Sequence, residues 1–426
     1  MKVVVTTWEG GGNVTPILIV VRKLVTAGHD VRVVSDACNR RESEAAGARF
    51  LGWSSAPSRA DKSPDSDILR DWEAPPGPES LRVLVERIMC GPAEAYGADL
   101  LAELAREKAD LVVASGMLLG VIAACESIGQ RVAAFEANVS LAPLPGVPPI
   151  GPGLMPPRND DERAQHAEIA AASAALFNDA GLDALNRARH AFGLAPLTDV
   201  FDQLEAADAV LLGTSPSFDF APDTLPPNTR YVGPQLGAPA WAESWNTPWA
   251  RDDRRPLVLV AFSTTFQDHV GVLQRIVDAL GHHDVRVVVT LGPALARDAV
   301  RPAANTHIVA SAPHGTLMSE AALVVTHGGH GTVINALAHG APLMVLPHGR
   351  DQNDNAVRVT ARGAGVRVDP PYARDAIDRA LGTLLSDPGY RTNARALGAR
   401  IARDAASSTV VADLEALAAP ERAVAC

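Results

Sequence analysis

The chain has almost nothing from which to build a disulfide frame or a thiolate metal centre. Its four cysteines, Cys38, Cys90, Cys125 and Cys426, show no CxxC spacing, and both structures depend on such pairing. Positive charge is scarce too. With 38 Lys and Arg against 49 Asp and Glu, the net charge is −11, which argues against a nucleic-acid backbone or an anionic membrane as partner. An acidic chain can still hold one small anion through local backbone amides. No apolar run can cross a bilayer: the best, Pro16 to Val21, is broken by Arg22 and Lys23. Met1-Lys2 runs straight into a strand-like stretch without secretory-leader anatomy, so a cytoplasmic location is expected. Aromatic residues make up only 4% of a chain that is 47% hydrophobic, a balance that fits an Ala-, Val- and Leu-rich α/β protein and not disorder.

At 426 residues, two domains are expected. Strand and helix signals alternate from the start, with a strand at 2–6, a helix at 14–27 closed by Gly28, and a strand at 31–34. Near 256 the pattern restarts, with a strand over Pro256 to Ala261, a helix at 269–280 and a strand at 285–289. The hexapeptide HDVRVV occurs at 29–34 and again at 283–288, each time after a helix and a glycine. This order predicts two doubly wound, Rossmann-like α/β domains whose ligands lie at the carboxyl ends of parallel strands, facing one another across a cleft. The expected division is 1–235, a linker at 236–255 rich in Pro, Gly and Trp, 256–400, and a C-terminal helical part at 401–426 that crosses back to the first domain. The Pro-rich stretch 141–157 reads as a functional loop or lid base, and Ala-rich helices over 161–192 are expected to wall a pocket.

The most informative segment is LVVTHGGHGTVINALAHGAPLMVLPHGRDQNDNAVRV at 323–359. A strand ends at Val325, a glycine turn follows from His327 to Thr332, and a helix runs from about 331 to 339. Free amides and the dipole at a helix start favour a diphosphate there, and His327 and Thr332 can add side-chain donors. A second strand, Leu343 to Leu346, delivers Asp351, Gln352 and Asn353, a carboxylate beside carboxamides suited to reading sugar hydroxyls. His327, His330, His339 and His348 are close in sequence but lack an obvious carboxylate or thiolate partner set, so no metal is expected. The opening EGGGN, residues 9–13, is a glycine loop between strand and helix. It is not GxGxxG, and Asp36 is weak support for a ribose contact, so a dehydrogenase is the poorer reading.

The pattern HxGxGT, an Ala-rich helix and then PxxxDQxxNA resembles the C-terminal signature of GT-B-fold, nucleotide-sugar-dependent glycosyltransferases, in the family of bacterial natural-product enzymes similar to UDP-glucuronosyl- and glucosyltransferases. It is carried by His327 to Thr332 and by Pro347, Asp351, Gln352, Asn355 and Ala356. The opening is similar as well, through Gly12, Val14, Pro16, Gly28, His29 and Val31, as are VLLGTSPSFDF at 210–220 and RYVGP at 230–234. The resemblance implies that His327, Thr332 and the amides of Gly329 and Gly331 hold the diphosphate, with Ser263 and Thr264 lining the same pocket. It implies that Ser311, Ala312 and His314 cradle the base without the usual stacking tryptophan, and that Asp351 and Gln352 bind the donor sugar. Asn335 stands where many members place a ribose-binding Glu. The co-substrate is then a UDP- or dTDP-linked sugar, with no cofactor, and the partner a small aglycone. Trp8, Trp53, Trp72 and Trp241 make an apolar aglycone plausible. The enzyme is expected as a monomer or homodimer that transfers with inversion.

The family's general base is a histidine oriented by an aspartate; by the same matching this chain has Asn13 and Ser115. An amide is not a base near neutral pH, and general-base help is worth about 10²–10⁴ in rate. Three readings stay open. Another carboxylate near a strand end (Glu9, Asp36 or Glu136) acts as base; the acceptor is a phenol, amine or electron-rich aromatic carbon needing little activation; or the protein binds a sugar nucleotide without transferring it. Asn13 can orient an acceptor or cap the first helix.

Overall fold

The computed structural model describes all residues except 76, 238–244, 263–264 and 420–426. Two all-parallel sheets form the frame. In the first domain the elements are β1 (Lys2–Thr6), α1 (Val14–Thr26), β2 (Asp30–Ser35), α2 (Arg40–Ala45), β3 (Arg49–Gly52), α3 (Pro78–Leu84), α4 (Ala93–Arg106), β4 (Leu111–Ser115), α5 (Leu119–Ile128), β5 (Val132–Glu136), α6 (Asp160–Ala191), β6 (Ala209–Leu212) and β7 (Thr229–Tyr231). Its sheet order is β3-β2-β1-β4-β5-β6-β7. The second domain has β8 (Leu257–Ala261), α7 (Val270–Leu280), β9 (Arg286–Thr290), β10 (Thr306–Val309), α8 (His314–Glu320), β11 (Ala321–Thr326), α9 (His330–Ala338), β12 (Leu343–Val345), α10 (Gln352–Ala361), β13 (Gly365–Arg367), α11 (Arg374–Ser386) and α12 (Pro388–Ala406). Its order is β10-β9-β8-β11-β12-β13, so both sheets wind outward from their first strand in the same sense.

Strands covered by helices on both faces read as continuous apolar runs, which is why Val3 to Val5, Leu111 to Ala114 and Leu257 to Ala261 are fully buried. The repeated hexapeptide supplies β2 and most of β9, each hydrogen-bonded to the first strand of its own sheet. The winding direction reverses between β1 and β4 and between β8 and β11. The crevice beyond their carboxyl ends is where such sheets take ligands.

Two parts of the chain behave differently from expectation. The Ala-rich stretch is one continuous helix, α6, of 32 residues. It packs on the first domain through Phe177, Leu185 and Ala188 and contributes no residue to the lining of the cleft between the domains, while Asp183, Asn186, Arg187, His190 and Ala191 line a separate surface groove. The loop 141–157 bridges the domains: Leu141, Ala142 and Leu144 stay on the first domain's core. Val139 and Ile150 pack into the apolar core of the second domain, so the loop is a strap across the cleft. The chain also returns at its end: α13 (Val410–Ala418) lays Val410 and Leu414 into the first domain's core beside α1. No helix of the described residues is long and apolar enough to span a membrane.

Candidate functional site

A cavity of about 480 Å³ lies between the two sheets, lined from both domains. The first domain contributes the loop after β1. Gly11 takes a left-handed conformation, φ 82°, and its N–H donates to Glu9 Oε1 at 2.8 Å. A β-carbon on Gly10 would stand 2.5 Å from the Trp8 ring and 2.8 Å from Asn13 Oδ1. The Asn13 carboxamide staples this loop: Nδ2 donates to the Trp8 carbonyl at 2.9 Å and Oδ1 accepts from Gly10 N–H at 3.2 Å. Asn13 occupies the N-cap position of α1 but makes no capping bond with its side chain. The capping alternative is therefore corrected, since both amide atoms are spent on the glycine loop.

The three candidate bases separate cleanly. Glu9 is paired with Lys62 at 3.1 Å, and Lys62 in turn holds Glu42 at 2.5 Å. Asp36 is buried behind the loop and accepts from the backbone N–H groups of Glu9 at 2.8 Å and Arg59 at 2.7 Å. Burial raises its pKa to about 6, yet it is a brace between loops and is absent from the cavity wall. Glu136, at the end of β5, has neither an ion pair nor a side-chain hydrogen bond among the described residues, and burial alone pushes its carboxyl up to about 7. With Asn13, Ser115 and Met117 it lines a side chamber of about 10 Å³, the size of one water. Asn13, Met117, Ala137 and Asn138 line both this chamber and the main cavity, so the two adjoin.

The second domain contributes the turn after β11. Gly328 has φ 99°, which turns the chain so that Gly329 opens α9. His327 is deeply buried. Burial, then the neighbouring His269, His348 and Arg350, hold its pKa well below the ordinary value, so it is a neutral N–H donor at pH 7. Its Nε2 lies over Gly329, where a β-carbon would stand only 2.6 Å away. His327, Gly329, Gly331 and Thr332 all line the cavity. Asp351 and Gln352 line the cavity beside them. Asp351 Oδ2 accepts from Asn355 Nδ2 at 2.9 Å, while Gln352 Oε1 accepts from the His348 and Gly349 amides at 2.7 and 3.2 Å.

Other expected positions divide. His314 lines the cavity and contacts Thr290 Oγ1 at 3.1 Å, whereas Ser311 and Ala312 are buried outside its lining. Asn335 lines it too, but its amide donates to the Gly331 carbonyl of its own helix at 2.8 Å. Ser263, Thr264 and Trp241 lie outside the described residues. Trp8 is in the wall; Trp53 is core, edge-on to Tyr96. Among the described residues no three His, Cys, Asp or Glu side chains are grouped to hold a metal.

Sequence reasoning passed over Arg350 and the detail of Asn355. Asn355 links the turn to Asp351 by donating to Gly328 O at 2.9 Å as well as to Asp351, and it touches His330 Nδ1 at 3.1 Å. Its place in the quoted motif was the available signal. Arg350 reaches across the cleft to Asp71, 279 positions earlier, and no local pattern marks that.

Two Rossmann-like α/β domains that share a cavity, with a glycine turn and helix start on one wall, make a GT-B fold. The comparisons with known proteins agree. Residues 274–417 match the family model described as erythromycin biosynthesis protein CIII-like, C-terminal domain. The chain is 30% identical over 329 residues to the vancomycin aglycone glucosyltransferase of Amycolatopsis orientalis, covering 71% of this chain and 76% of that one. It is 29% identical over 411 residues to 4'-demethylrebeccamycin synthase of Lentzea aerocolonigenes, covering 93% and 94%. Among solved structures it is similar to the glycotransferase of kitacinnamycin, with TM-score 0.74 at 17% identity over 98% and 99% of the two chains. The chain belongs to the family of nucleotide-sugar-dependent glycosyltransferases of bacterial antibiotic biosynthesis.

Proposed function

We propose that this glycosyltransferase moves a sugar from a UDP- or dTDP-linked donor, held by the second domain, to a small apolar aglycone held by the first, with inversion at the anomeric carbon. Leu69, Leu81, Leu84, Met117 and Leu141 give the acceptor end of the cavity its apolar wall. The glycine turn supports the donor assignment: the neutral His327, Gly329, Gly331 and Thr332, at the start of a helix, all line the cavity. Donors fixed where charge develops stabilise the leaving diphosphate without reorganisation. Asp351 and Gln352 face the sugar between the two ligands.

The acceptor's proton goes to Glu136. The observation that carries this is its unpartnered, buried carboxyl beside Asn13 and Ser115, poised near pH 7. A base is most effective when its pKa lies close to the working pH. The acceptor heteroatom or carbon bonds to the anomeric carbon as the bond to the diphosphate oxygen breaks, and the acceptor's hydrogen passes to the Glu136 carboxylate. Asn13 holds the glycine loop that shapes the acceptor's approach, so it acts by position. A phenol, amine or electron-rich aromatic carbon asks least of such a base. Glu136→Gln separates this reading from an acceptor that needs no base at all: a fall in kcat of about 10²–10³ at unchanged donor affinity is expected. Wild-type turnover in that variant leaves the self-activated acceptor as the answer.

A further inference from the structure

Five consecutive residues after β12 alternate in what they touch. Arg350, in a left-handed conformation with φ 54°, sends its guanidinium to Asp71 of the first domain. Nε donates to Oδ2 at 2.6 Å and Nη2 to Oδ1 at 2.9 Å. Its remaining nitrogen reaches the Gly10 carbonyl at 3.4 Å and Thr265 Oγ1 at 3.1 Å. Beside it Trp72 meets Phe266 edge-on, with centroids 5.2 Å apart, again across the domains. Asp351 and Gln352 then face the cavity. Asn353 and Asp354 return to the first domain: Asn353 Nδ2 donates to the Gly151 carbonyl at 2.9 Å, and Asp354 Oδ2 accepts from Gly151 N–H at 2.7 Å. The fit there is close, since a β-carbon on Gly153 would stand 2.5 Å from the Asn353 carbonyl oxygen.

We infer that Arg350, Asn353 and Asp354 are positioning residues that make closure of the two domains and orientation of the donor sugar a single event. The sugar-facing pair sits between two cross-domain ties, one to the segment at Asp71 and the glycine loop, the other to the 141–157 strap. A bidentate guanidinium–carboxylate pair fixes direction as well as distance, so Asp351 cannot take its place until Arg350 has found Asp71. The first tie also grips the carbonyl of Gly10, three residues from Asn13, so sugar and acceptor loop are set by one side chain. This inference rests on the donor assignment proposed above.

The test compares calorimetric binding of UDP and dTDP with that of UDP-glucose and dTDP-glucose in wild type, Arg350→Met, Arg350→Lys, Asp71→Asn and the double variant Arg350→Met/Asp71→Asn. Loss of a charged, bidentate tie is expected to weaken sugar-nucleotide binding about tenfold while bare nucleotide affinity stays within about twofold. Asp71→Asn should give the same loss, the double variant no more than either single, and Arg350→Lys an intermediate value. Losses that fall equally on bare nucleotides, losses that add in the double variant, or a wild type with no extra affinity for either sugar nucleotide overturn the inference. Should Arg350→Met fold poorly, Asp354→Ala, which removes the acceptor of the Gly151 N–H, carries the test through hydrogen exchange: faster exchange at the Gly151 amide with lost sugar discrimination supports the coupling, and intact discrimination overturns it. A wild type that binds no nucleotide at all brings down the donor assignment as well; a wild type that binds normally beside unaffected variants removes only the coupling.

Discussion

The carboxyl group of Glu136 stands where a β-carbon on Gly116 would be. A side chain at 116 would overlap Glu136 Oε1 directly, so the glycine after β4 is what lets a carboxylate rise from β5 into the chamber beside Asn13. Gly116→Ala is expected to displace that carboxyl, lowering kcat at least about tenfold with little loss of stability, because the atoms that must move are the end of a flexible side chain. Steady-state rates and urea unfolding of the same variant check both halves.

Removing the carboxylate is expected to raise stability at alkaline pH. The Glu136 pKa is raised by burial to about 7 from 4.5, so the folded state favours the neutral acid. Its stabilising contribution is complete below the unfolded value and is lost as pH climbs through about 7. Glu136→Gln has no such loss, and at pH 8 it should be more stable than wild type by up to about 3 kcal/mol while being far less active. Unfolding curves at pH 5 and pH 8 show whether the difference grows in that direction. A group kept at a cost to folding is the mark of a functional one.

The same ionisation is expected to set the pH profile of transfer. Wild-type kcat/KM should rise from pH 6 to pH 8 as Glu136 loses its proton, and the limb should vanish in Glu136→Gln. Restoring the family pair, Asn13→His with Ser115→Asp, places a second carboxylate in the chamber that Glu136 lines. Like charges at close range raise one another's pKa, so the limb should move to higher pH in that variant. Adding Glu136→Gln should remove the conflict and favour alcohol acceptors over native ones; a rate series over alcohols, phenols and amines reads the result.

Donor binding should be insensitive to pH across the range where an ordinary histidine titrates. His327 is held well below its usual pKa by burial and by His269, His348 and Arg350, and His314 is held down to about 4. Both are neutral donors from pH 6 to pH 8. Calorimetry with a sugar nucleotide should give affinities within about twofold over that span, and His327→Ala should weaken binding about 10–100-fold at either end.

Much of this architecture could be read from spacing alone. HDVRVV at 29–34 and 283–288 foretold the second strand of each sheet, because a valine-rich segment follows a helix and a glycine at the same place in both halves. The glycine turn at 327–332 was equally legible, since strand, glycines and helix start are contiguous. What could not be read were relationships between distant positions. Arg350 finds Asp71 only when two domains close, Gly116 makes room for Glu136 across a strand pair, and α6 turned to the outer face because its apolar residues fit α4 and α5. The role of Asn13 was open in the sequence for a related reason. A carboxamide suits capping, acceptor contact or loop bracing, and only the positions of Trp8 and Gly10 decide between capping and bracing.

The central claim is tested most directly by incubating the enzyme with UDP-glucose or dTDP-glucose and a panel of phenol, amine and polycyclic aromatic aglycones, and weighing the products by mass spectrometry. The account predicts an acceptor that gains one hexosyl unit, made by wild type and strongly reduced in Glu136→Gln. Tight donor binding with no acceptor gaining mass, or undiminished product from Glu136→Gln, would contradict it.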